Sequence, residues 1–258
     1  MATADSEEVF DDVLPPTPEA KFMFPDDEHD KRLNPPRNFV GFTEFEIKSG
    51  GRKPTIVRMY GERHPDDGPA IKKKLAMDTV NFLNRALNDP ALGGNRRLLI
   101  EGRPGAHLEQ KYSSSVINDV GYRLGSLRKG LVETLDRRKE ESSPALRSEK
   151  PNIVQIRRAQ YDINKEIKPY YEAYPKLKDI FKSHTTPEIA RKEFFGAFNS
   201  PLFDAQLIGE IEKAHKEGYN LLTYTGDAHR TNLEHVLDGV KGITITNSHN
   251  KNIKETRV

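Results

Sequence analysis

The sequence predicts an α/β fold with a mostly parallel sheet, flanking helices, a large helical insertion and a disordered acidic N-terminal arm. Three observations carry this expectation. Short β-rich runs at residues 55–60, 97–102 and 220–225 each end at a Gly-bearing turn, and segments of helical period follow. Strand, helix, strand is the βαβ unit from which parallel sheets are built. The chain has 258 residues, of which 35% are hydrophobic and 31% charged, so its apolar share must be concentrated in a few strands and helix faces to offset the entropy of ordering the backbone.

Residues 1–37 combine acidic clusters, Glu7-Glu8, Asp11-Asp12 and Asp26-Asp27-Glu28, with repeated prolines and no sustained period. Such a stretch cannot bury enough apolar surface to fold alone and is expected to be disordered, with Val9, Phe10, Val13, Leu14, Phe22 and Phe24 available to dock on the domain or on a protein partner. Residues 38–258 are expected to form one domain. It opens with two strands, at 39–47 and 55–60, joined by a turn at Ser49-Gly50-Gly51. Pro69 starts a helix carrying Ile71, Leu75, Val80, Leu83 and Leu87, which Asn88-Asp89-Pro90 and Gly93-Gly94 terminate.

After the strand Arg97–Gly102, residues from about 107 to 200 read as a helical insertion. Val116, Val120, Leu124, Leu127, Leu131 and Leu135 keep helical spacing, and Pro144, Pro151, Pro169 and Pro175 interrupt it. One helix is expected from Pro187 to Phe198 and a second through Leu207, Ile211 and Ala214 to a stop at Gly218. The strand 220–225, a helix over Asn232–Leu237 and a last strand, 242–246, close the domain.

Composition removes several function classes. Lys+Arg total 41 against Asp+Glu 39, and this balance makes no case for nucleic acid or an anionic membrane as a partner. With no cysteine, disulfides, thiolate metal sites and Cys nucleophiles are absent, and any metal must be held by His, Asp, Glu or backbone oxygen. No apolar run approaches the roughly 18 residues of a spanning helix, and the N-terminus is acidic where a secretion signal is basic and then apolar. The expected location is the cytoplasm. Gly102-Arg103-Pro104-Gly105 lacks both the Gly-Lys-Ser/Thr ending of a P-loop and the third glycine of a dinucleotide fingerprint, so no nucleotide is expected.

Chemically capable residues gather at three strand ends: Glu62 and His64, then Glu101, then Asp227 and His229. Ligands of open α/β sheets bind at the carboxyl ends of the strands, so these groups converge if their strands lie parallel and side by side. The turns Gly61-Glu62-Arg63-His64 and Gly226-Asp227-Ala228-His229 match in context, each following a β-rich run and each holding an acid between Gly and His. Histidine supplies a side chain that titrates near neutrality, as base, acid or metal ligand.

These two turns, with Leu98-Leu99-Ile100-Glu101 between them, resemble the TIKI/TraB superfamily, which also gathers ChaN-like and erythromycin-esterase-like proteins. The likeness covers residues 54 to 102 and 219 to 246. It implies an α/β fold with its site between the two halves of the chain, serving metal-dependent proteolysis, metal-free ester hydrolysis or haem binding. Carried over position by position, it implies His64, Glu101 and His229 as first-rank site residues and metal ligands, Glu62 and Asp227 as second-rank catalytic groups, and Arg103 and Arg230 as substrate-binding oxyanion partners. A hydrolase of an ester or amide, acting on a small molecule or peptide with or without Mn²⁺, Zn²⁺ or Fe²⁺, is the leading expectation. The alternative is a non-catalytic structural or partner-binding protein that retains the fold, in which Glu62, Arg63, His64 and Asp66 are a salt-linked loop and Asp227 and Asn232 cap the last helix.

Overall fold

The computed structural model describes residues 35–49, 52–63, 68–102, 108, 116–136 and 151–250. Within them the chain lays down β1 (Phe39–Ile47), β2 (Thr55–Glu62), α1 (Pro69–Leu87), β3 (Arg96–Gly102), α2 (Val116–Leu127), β4 (Val132–Asp136) and α3 (Ile153–Ile167). It continues with α4 (Pro175–His184), α5 (Pro187–Lys192), α6 (Phe194–Glu217), β5 (Asn220–Gly226), α7 (Asp227–Leu237) and β6 (Ile243–Asn250). The arm up to residue 34 lies outside the described residues.

One sheet collects the six strands in the order β4-β3-β5-β2-β1-β6. β2 pairs parallel with β5, β5 with β3 and β3 with β4, while β1 runs antiparallel to both β2 and β6. The fold is mixed α/β with a mostly parallel sheet. Alternation along the strands divides the core in two. Phe42, Tyr60, Leu98, Ile100, Leu222 and Tyr224 pack with Val80 and Leu83 of α1 and Val120 and Leu124 of α2. Phe45, Val57, Met59, Leu99 and Leu221 pack on the other face with α3 to α7, through residues such as Ile163, Leu177, Phe203, Ile208 and Leu233.

Two elements differ from the sequence reading. The helical spacing through Leu131 and Leu135 ends at Leu127, because Gly130 turns at φ 77° and Val132–Asp136 adds a strand to the edge beside β3. In such a short stretch, pairing with a neighbouring strand outweighs a period-of-four pattern. The region from 107 to 200 therefore supplies β4 as well as helices on both faces of the sheet. The two helices expected between Pro187 and Gly218 are divided at Glu193, and α6 runs through Pro201 to a left-handed cap at Gly218. Proline removes one hydrogen bond from a long helix whose surrounding side chains, Phe198, Leu202, Phe203 and Ala205, are all buried, and that burial holds the helix together.

Candidate active site

β3 leaves the sheet toward α2 on one face, whereas its neighbour β5 leaves toward α7 on the other. Open α/β sheets bind ligands outside the carboxyl ends of adjacent strands whose continuations part in this way. Glu101 and the turn Gly226–His229 stand at those two strand ends.

The Glu101 carboxylate accepts the Gly226 backbone N–H at 2.7 Å through Oε2, which seats an anion on the N-terminus of α7. His229 lies in the first turn of the same helix and is 4% exposed. Its Nδ1 meets Asp204 Oδ1 at 2.6 Å, its Nε2 faces Glu101 Oε1 at 3.9 Å, and the Phe203 ring packs against the imidazole at 4.5 Å. Asp204, fully buried on α6, also accepts Asn232 Nδ2 at 2.8 Å through Oδ2. The result is a buried carboxylate–imidazole–carboxylate line, Asp204–His229–Glu101, with α6 and α7 pinned together by one aspartate.

Glu62 sits elsewhere. Alternation along β2 turns it to the α1 face, where its carboxylate accepts the hydroxyl of Tyr224 and Asn38 Nδ2 at 3.1 Å, and Asn38 reaches Thr79 of α1. Burial, and after it the Glu62 carboxylate, push the Tyr224 phenol well above its ordinary value. The parallel strands bring Glu62 level with Gly226, yet parity along the strand separates it from the His229 pocket. Convergence thus holds for Glu101 and His229 and not for Glu62.

Asp227 and Arg230 form a clamp. Arg230 is 1% exposed, donating from Nε to Asp227 at 2.6 Å and from Nη1 to Thr43 and Glu234 at 2.7 Å each. The guanidinium expected as an oxyanion partner is thus committed to fixing α7 on β1. Gly41 and Gly61 face each other across β1 and β2 beneath this clamp, and a Cβ on Gly61 would lie 2.9 Å from Asp227 Cα. The glycine of the first turn is needed for space under α7. His64 and Arg103 lie outside the described residues.

Asp204 escaped the sequence reading, although a signal was present. It is a lone carboxylate in Leu202-Phe203-Asp204-Ala205, and a carboxylate inside an apolar helical run is buried only when paired.

No protein-family model matches this chain, and comparison with curated proteins and with solved structures returned no match.

Proposed function

We propose that the chain is a hydrolase of the TIKI/TraB type, cleaving an ester or amide bond with His229 as general base. The observation that carries this reading is the Asp204–His229–Glu101 line at the carboxyl ends of β3 and β5. With the Asp204 carboxylate accepting Nδ1–H, the lone pair of His229 is on Nε2, on the side of Glu101. A water donating to Nε2 and to Glu101 Oε1 at about 2.8 Å each spans a gap of this size. His229 takes its proton as the water attacks the carbonyl carbon, Asp204 stabilises the imidazolium that forms, and the same proton then passes to the leaving oxygen or nitrogen. Glu101 keeps the water oriented, its second oxygen held by Gly226.

A divalent metal fits part of this donor set. Nε2 and Glu101 Oε1 are two ligands of the right kind, and a carboxylate on the far ring nitrogen is the usual partner of a metal-bound histidine. Among the described residues no group of three His, Asp or Glu side chains is arranged to hold an ion, so His64 is the third ligand that this version requires. The metal would lower the pKa of a bound water and polarise the carbonyl.

The second reading, a partner-binding protein that retains the fold, is favoured by the low exposure of Glu101 and His229, 3% and 4%. Elemental analysis of the purified protein, together with hydrolysis of ester and anilide substrates by the native chain and the His229→Ala and Glu101→Gln variants, separates the readings. Turnover lost in both variants supports the hydrolase, and a metal lost with it assigns the ion to this site. Absence of turnover from the native chain across the panel overturns the hydrolase in favour of the binding protein.

A further inference from the structure

The helix that supplies Asp204 also carries a polar side chain for which the described residues supply no counterpart. Asn199 is 1% exposed, and neither its Oδ1 nor its Nδ2 finds a hydrogen-bond partner among the described residues. An amide buried without partners forfeits hydrogen bonds at both ends, and such groups are uncommon enough in folded proteins that each calls for an account, a bound water or a ligand being two of them.

The position of Asn199 shows where a ligand would enter. α6 is level with the carboxyl end of β5 at residue 204, because Asp204 bonds to His229 in the first turn of α7. Asn199 lies five residues nearer the helix N-terminus, about 7.5 Å further along at 1.5 Å per residue, and therefore outside the carboxyl ends of the strands. It stands four residues before Phe203, so the two side chains share a helix face. Phe203 is the residue whose ring packs against His229. Gln206, seven residues on in the same stripe, has an Oε1 that is likewise unmatched among the described residues. Asn199 is thus a buried two-point hydrogen-bonding group, unmatched among the described residues, one helical turn from the imidazole's neighbour.

We propose that Asn199 is a substrate-anchoring residue of the Asp204–His229–Glu101 site, recognising a planar group that presents an acceptor and an N–H donor side by side, as a primary carboxamide or a lactam does. Nδ2 donates to the carbonyl oxygen of that group and Oδ1 accepts its N–H. An ester or lactone of the same shape offers acceptors only and leaves Oδ1 buried and unmatched, which is the kind of difference that discriminates strongly in a closed site. The recognised group sits beside the bond that His229 attacks, so anchoring is independent of whether that bond is an ester or an amide. The word substrate rests on the hydrolase reading above, whereas the recognition chemistry does not.

The test uses two rings of one shape, 2-pyrrolidinone and γ-butyrolactone, titrated into the full chain labelled with ¹⁵N at asparagine. The Asn199 side-chain amide signal is identified by its loss in Asn199→Leu or, if that variant does not fold, in Asn199→Ala. A saturable shift of this signal by 2-pyrrolidinone, at least tenfold weaker with γ-butyrolactone and abolished as binding in the variant, is expected. No shift by either ring, or equal binding of the two, overturns the proposal and leaves Asn199 as a residue satisfied by a structural water only. Lactam binding without any turnover sensitive to His229→Ala keeps the anchor and removes the hydrolase. Turnover sensitive to His229→Ala with equal lactam and lactone binding does the reverse.

Discussion

At the scale of single residues, the site depends on how buried polar groups are matched. Asp204 divides its two oxygens between His229 and Asn232, so removing it orphans both. Asp204→Ala is expected to destabilise the fold by about 1–3 kcal/mol for each group left unmatched. Asp204→Asn keeps the shape but reverses the proton order at Nδ1, and is expected to lower kcat by about a hundredfold to ten-thousandfold with a small change in urea midpoint. A kcat unchanged in Asp204→Asn would show that His229 is not the base. On the other face, Tyr224→Phe removes the hydroxyl that the Glu62 carboxylate accepts and is expected to cost about 1–3 kcal/mol by urea unfolding, since Glu62 is itself only 2% exposed.

At the scale of elements, α7 is placed by what lies under it. Gly41 and Gly61 leave the strands bare where Asp227 and Arg230 come down on them, and Arg230 then reaches Thr43 of β1. Gly61→Ala puts a methyl against both the Asp227 carboxylate and the Asp227 Cα in the backbone of α7, so moving the side chain alone does not relieve the clash and the helix must lift. The expected cost is about 1–3 kcal/mol, seen as a lowered Tm. Because Glu101 is held by the Gly226 N–H at the start of the same helix, the variant is also expected to loosen the His229 geometry and lower kcat, in contrast to a substitution that merely weakens the core. Normal turnover in a destabilised Gly61→Ala protein would uncouple the clamp from the site.

At the scale of the whole molecule, burial of phenols sets the alkaline limit of stability. Tyr60 and Tyr224 are fully buried, and desolvation raises both well above their ordinary value of 10.0. The unfolded chain ionises these tyrosines as pH passes about 10, while the folded chain keeps them neutral, so the unfolded state binds fewer protons and stability falls as pH rises. The contribution is intact below pH about 10 and drains above it, at up to roughly 1.4 kcal/mol per pH unit for each group. Urea midpoints measured from pH 8 to 11 are expected to be level and then fall. Phenolate absorbance from the two residues should appear only with unfolding. Phenolate formation by all nine tyrosines in the folded protein would contradict the burial of Tyr60 and Tyr224.

Much of this architecture is legible along the chain. The strands read at 39–47, 55–60, 97–102 and 220–225, which the fold extends by at most two residues, the Pro69 helix start and the Gly218 stop follow from local rules, namely β-rich runs, proline at a first turn and a left-handed glycine cap. The pairing of Glu101 with the second Gly-x-x-His turn is legible too, because parallel strands deliver their ends to one edge. What tertiary structure alone decided is parity and partnership. Whether Glu62 shares a pocket with His229 depends on which face of β2 it occupies, and a one-residue difference in phase reverses the answer. Leu131 and Leu135 satisfy a helical period as well as a strand edge, and only the open side of β3 chose between them. Asp204 reaches His229 across 25 positions of sequence, from a helix whose packing on α7 no local pattern encodes. Sequence determines the elements because their causes lie within a few residues, and the fold determines the site because its hydrogen bonds are made between elements.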